Sequence, residues 1–111
     1  MRWLVIDELL PGDSIRLAER LDAMELGSGI PGLYWLPLPE SLLSAIQQEH
    51  TASCGPHVMA LEVEDTLVRL ELLVRARARL RCDCLHYASP ALVAHMADYL
   101  SQLLAELQIA G

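Results

Sequence analysis

A chain of 111 residues holds one domain, residues 1–111, and has no room for a second core of ordinary size. Its hydrophobic fraction of 53% and mean hydropathy of +0.30 sit at the upper end for a soluble monomer. Self-association would cover that surplus, so a homodimer is expected. The formal charge of −7 repels nucleic acid and anionic lipid, which disfavours both as partners.

No run approaches the roughly eighteen uninterrupted apolar residues that a spanning helix needs. The apolar stretch Trp3 to Ile6 ends at Asp7, too short for a secretory segment, so a cytoplasmic location is expected and no membrane partner. Three cysteines, Cys54, Cys82 and Cys84, make an odd count with two of them one residue apart, which is no disulfide framework.

Residues 2–7 read as a buried strand, separated from the next element by Pro11-Gly12. Asp13 is a good N-cap, and Ile15, Ala18, Leu21 and Met24 then recur at helical spacing, predicting a helix over about 13–26 stopped by Gly27. After a glycine-rich loop, Leu33 to Leu36 predicts a short strand. Pro39 opens a second helix over about 39–53, with Leu42, Leu43 and Ile46 inward, closed by Gly55-Pro56.

Residues 57–87 decide the fold class. The composition of 67–82 suits a helix, but its periodicity does not. Arg69, Arg75, Arg77, Arg79 and Arg81 fall on odd positions while Val68, Leu70, Leu72, Val74, Ala76, Ala78, Leu80, Cys82 and Cys84 fall on even ones. A period of two lines arginine up on a strand and scatters it round a helix. One strand over 67–87 would run about 70 Å, far beyond a domain whose radius of gyration is roughly 13 Å, so the chain folds back. Unbroken parity asks for an odd-numbered reversal, placed at Arg75 to Arg77. That register pairs Val74 with Ala78, Leu72 with Leu80, Leu70 with Cys82, Val68 with Cys84, Glu71 with Arg81 and Arg69 with Asp83. Upstream, a turn at Glu64-Asp65 pairs Leu61 with Val68 and Met59 with Leu70.

Ser89 and Pro90 open the last helix, over about 90–108, whose seam is Val93, Met96, Leu100, Leu103 and Leu107. Leu92, Tyr99 and Leu104 widen the apolar sector enough to reach a partner chain. The expectation is an α+β two-layer sandwich: an antiparallel β-meander (57–63, 66–74, 78–87) plus the N-terminal strand 2–7, backed by the three helices.

Cysteine and histidine supply the sharpest chemical hint. Cys82, Cys84 and His86 share one strand face, and His50, Cys54 and His57 gather before the meander, so Cys54, His57, Cys82, Cys84 and His86 form a candidate zinc set. The spacing matches none of the usual paired-ligand signatures, and alternate strand residues start nearly 7 Å apart, so small buried thiols are the competing reading. His50 and Cys54, four apart on a helix, could also pair as base and nucleophile, though nothing marks an oxyanion site. Asp7, Glu8 and Asp13 read as a strand end and a cap.

Arg75, Arg77 and Arg79 at the reversal, with Trp35 as an aromatic wall, are the candidate ligand-binding residues, suited to an anionic or acidic protein partner. Without interleaved exposed aromatics they make a poor nucleic-acid surface. Gly27, Gly29 and Gly32 mimic a dinucleotide loop but follow a helix and contain Pro31. The leading expectation is therefore a non-enzymatic, self-associating binding or accessory module that needs no cofactor. A zinc-binding protein, then a small enzyme with a cysteine nucleophile, are the alternatives.

Overall fold

The computed structural model describes residues 2–78 and 85–109. Among these, six strands and four α-helices follow one another as β1 (Trp3–Ile6), α1 (Pro11–Ala23), β2 (Leu33–Pro37), a 3₁₀ turn (Glu40–Leu42), α2 (Ala45–Glu49), α3 (Thr51–Cys54), β3 (His57–Val63), β4 (Val68–Glu71), β5 (Leu73–Ala76), β6 (His86–Tyr87) and α4 (Pro90–Glu106). All strand pairs are antiparallel, and the helices line one face, as the sequence predicts for an α+β sandwich. The radius of gyration is 13.9 Å. Among the described residues no helix is long and apolar enough to cross a membrane.

β3 is the axis of the sheet. β2 pairs along one edge of it, with Trp35 opposite Ala60, and β4 and β5 share the other. β4 and β5 are two halves of one strand interrupted at Leu72. Between the pairs Leu61–Leu70 and Val58–Arg75, β3 advances three residues while its partner advances five. An insertion of two leaves parity intact, which is why Val68, Leu70, Val74 and Ala76 all stay inward despite the break.

Leu72 is also where the far edge changes hands. Its N–H donates to the Arg2 carbonyl at 3.0 Å and its carbonyl accepts from the Ala88 N–H at 2.9 Å, so β1 flanks β4 while β6 flanks β5. This placement corrects the predicted registers. The pairings expected for 80–84 fall outside the described residues, and the edge of β4 that they would use is occupied by β1, with Leu4 opposite Leu70 and Val5 opposite Arg69. Arg75 is not at a reversal but within β5, and Val74 faces His86 instead of Ala78. The Arg77 and Ala78 N–H groups bond the carbonyls of Pro56 and Cys54, at 3.1 and 3.0 Å, which holds the strand against the end of α3. In the first hairpin Glu64 N–H donates to Leu67 O at 2.9 Å, making Asp65-Thr66 the turn and pairing Leu61 with Leu70 rather than Val68. Registers two residues apart bury the same face, so alternation by itself cannot choose between them.

The helices show similar local shifts. α1 begins at Pro11, and Asp13 accepts the Leu10 N–H from its third position instead of serving as N-cap. Glu25, in the left-handed region at φ 60°, stops the helix two residues before Gly27. The second predicted helix is broken in three, at His50 between α2 and α3 and before α2, where Ser44 and Gln47 form a reciprocal cap: Ser44 Oγ accepts Gln47 N–H (3.3 Å) and Gln47 Oε1 accepts Ser44 N–H (2.9 Å). In α4, Ser89 caps through Leu92 N–H (3.2 Å), and Leu92, Met96, Leu100, Leu103 and Leu104 are buried. Leu92 and Leu104, predicted to reach a partner, instead fill this chain's own core alongside Leu17 and Leu21 of α1. Arg20 and Glu106 close the α1–α4 seam at 2.9 Å.

Candidate functional site

Strand register divides the sheet residues into two sets. Leu4, Ile6, Tyr34, Leu36, Met59, Leu61, Val63, Val68, Leu70 and Val74 pack with the helices in one core. The alternate positions, Trp3 and Val5 on β1, Leu33 and Trp35 on β2, Val58, Ala60 and Glu62 on β3, Arg69, Glu71, Leu73 and Arg75 on β4 and β5, and Tyr87 on β6, stand on the opposite face, and none of them joins that core. No described helix covers this face.

Its middle row runs Trp35, Ala60, Glu71, Trp3 across four strands, a small floor between two indole rings. The charges on it are paired among themselves. Glu71, 5% exposed, accepts from Arg75 Nε at 2.6 Å and from a terminal nitrogen at 3.1 Å. That hydrogen bond, more than the attraction between the charges, raises the Arg75 pKa above its ordinary value against the opposing effect of burial. Arg69 pairs with Glu62 and, at 3.9 Å, with Glu64. Two aromatic rings carry guanidinium groups: Arg69 lies 4.8 Å from the Trp3 centroid and Arg2 4.5 Å from that of Tyr87. The result, among the described residues, is a sheet face open at its rim, where Val5 is exposed and Trp3, Trp35 and Tyr87 are half-buried, and closed at its centre, where Val58, Ala60 and Glu71 are buried beside neutralised ion pairs.

Of the predicted ligand-binding residues, the structure brings Trp35 and Arg75 onto this one face. Arg77 follows β5 in an exposed turn, and Arg79 lies outside the described residues. Sequence reasoning missed Trp3, Glu71 and Tyr87, because membership of the face depends on which strands become neighbours. The alternation of Trp3 with Leu4 and Ile6 was the available signal.

Of the predicted zinc set, Cys54, His57 and His86 lie among the described residues. Cys54, 2% exposed, ends α3, and its Sγ lies 3.7 Å from His50 Nδ1, the four-residue contact expected. Cys54, Ala76 and Leu85 form a small second core at this end of the sheet. His57, at the start of β3, is 4% exposed, and neither ring nitrogen has a hydrogen-bond partner among the described residues. Burial lowers its pKa, His50 lowers it further, and Glu40 acts weakly the other way. His86 is drawn off to the α2 cap, with Nε2 3.1 Å from Ser44 Oγ. Cys82 and Cys84 lie outside the described residues, and among the described residues no three His, Cys, Asp or Glu side chains gather as a metal site.

The loop before β2 lines a concavity of about 340 Å³ between Asp22, Gly29, Pro31 and Tyr34. Tyr34 OH leans towards the Ala18 carbonyl at 3.5 Å, and its pKa is raised, first by burial and then by Asp22. Comparison of the chain with protein-family models, curated proteins and solved structures finds no match.

Proposed function

We propose that this chain is a small non-enzymatic binding or accessory module that works as a homodimer and offers the open face of its sheet to a protein partner. The observation that carries the reading is the row of Trp35, Ala60, Glu71 and Trp3, which no described helix covers and which is rimmed by Val5 and Tyr87. Aromatic and arginine side chains are the residue types enriched where proteins bind one another. The internal pairing of Glu71 with Arg75 and of Arg69 with Glu62 lets such a face be desolvated without stranding a charge. Light scattering on a size-exclusion column tests the dimer: a mass near 25 kDa is expected at micromolar concentration, twice the 12.3 kDa chain, and a strict monomer counts against it.

A second reading, a zinc-binding protein, is favoured by His57, whose two buried nitrogens have no partner among the described residues, near the His50–Cys54 contact. Elemental analysis of protein purified without chelator checks it. Near-stoichiometric zinc supports it, and absence of metal ends it.

A further inference from the structure

The two long edges of the sheet are treated differently. On β2 the edge is occupied: Trp35 N–H donates to Leu26 O at 2.9 Å, Ser28 N–H donates to Leu33 O at 3.1 Å, and Pro37 ends the strand. β1 has no such cover among the described residues. Arg2 turns its carbonyl towards Leu72, which sets the parity of the strand: Arg2, Leu4 and Ile6 point their backbone groups at β4, and Trp3 and Val5 point theirs away. Those outward groups belong to the uncharged segment Trp-Leu-Val-Ile, without the proline, lysine or bulge that usually blunts an exposed edge, and Val5 is 48% exposed.

The charges at the ends of β1 say what would fit. Arg2 precedes the strand, Asp7 and Glu8 come after it, and all three are exposed. Parallel pairing of two such strands sets like charges together, whereas antiparallel pairing sets the basic end of each against the acidic end of the other. A two-fold axis normal to the sheet keeps both helix layers on the same side and matches residues of equal parity. Centred on Val5, it pairs Val5 with Val5, Leu4 with Ile6, Trp3 with Asp7 and Arg2 with Glu8.

We propose that β1 is the seam of the homodimer: two copies pair their Trp3–Ile6 strands antiparallel about Val5, with Arg2 of each copy against Asp7 and Glu8 of the other. The two sheets then become one, and the open face with its tryptophans doubles in width instead of being consumed by dimerisation. This rests on the self-association proposed above.

The test is sedimentation equilibrium on three variants with the wild type. Val5→Pro removes an N–H that points away from β4, so the monomer's own ladder is untouched. Losing the reciprocal Val5 pair is expected to weaken the dimer at least roughly tenfold. Arg2→Glu and Glu8→Arg each weaken it at low salt, and the double variant R2E/E8R restores it. The swap keeps the question open to refutation if Val5→Pro does not fold. Amide exchange gives a direct reading, with Val5 N–H slowed at high protein concentration and fast on dilution. A wild-type monomer overturns the self-association reading itself. A wild-type dimer indifferent to Val5→Pro and to the charge swap overturns only the seam.

Discussion

Glu71 and Arg75 are joined by two hydrogen bonds, at 2.6 and 3.1 Å, across the point where their strand breaks and changes neighbours at Leu72. The pair therefore spans the insertion between β4 and β5, clamping both halves on the open face. Arg75 is part-exposed, at 43% of its side chain, and Glu71 is not, at 6%. Arg75→Met is expected to cost about 1–2 kcal/mol, the worth of a charged hydrogen bond discounted for the exposed partner. Glu71→Gln/Arg75→Met should recover part of that loss. Urea denaturation of the two singles and the double measures the coupling, and strict additivity would show that the clamp contributes nothing.

His57 makes stability depend on pH. Its folded pKa lies below the ordinary 6.5, mainly from burial, so the unfolded chain binds its proton more readily than the folded one. Its contribution is thus fully present above about pH 6.5 and lost as the pH falls from there through the folded value. In metal-free protein, His57→Leu should flatten the unfolding free energy between pH 7 and 5. It should also stabilise the fold at neutral pH by roughly 1–3 kcal/mol, since two buried nitrogens with no partner among the described residues disappear. An unchanged slope in the variant would locate the acid sensitivity elsewhere.

Two glycines should respond in opposite senses to the same substitution. A Cβ on Gly55 would stand 2.5 Å from the Thr51 carbonyl oxygen, a backbone atom that accepts the Gly55 N–H, while one on Gly12 in the first turn of α1 meets nothing within 4 Å. Gly55→Ala is expected to cost roughly 1–3 kcal/mol and Gly12→Ala to gain about 0.4–1 kcal/mol. Thermal unfolding of both variants against the wild type tests the contrast.

Leu72→Pro deletes the donor that ties β1 to the body of the sheet, Leu72 N–H to Arg2 O. A loss of about 3 kcal/mol or more is expected, with the Leu4 and Ile6 amides, which point at β4, exchanging first. Exchange spread evenly over the molecule would mean that β1 is not held through this residue.

Alternation was enough to specify much of the architecture. The parity of Val68, Leu70, Val74 and Ala76 against Arg69 and Arg75 depends only on the pleat of a strand, and Ser89-Pro90 start a helix by capping chemistry confined to one turn. The Ser44–Gln47 cap was equally local, and reading it would have divided the second helix. Which strands meet was beyond such signals. β1 lies along β4, β5 lies along β6, and Asp65-Thr66 makes the turn, because registers differing by two bury the same side chains and only summed packing separates them. The open face is a consequence of that choice. Trp3, Trp35, Glu71 and Tyr87 are scattered along the sequence, and they share a surface only after long-range strand pairing has set β1, β2 and β6 around the two central columns.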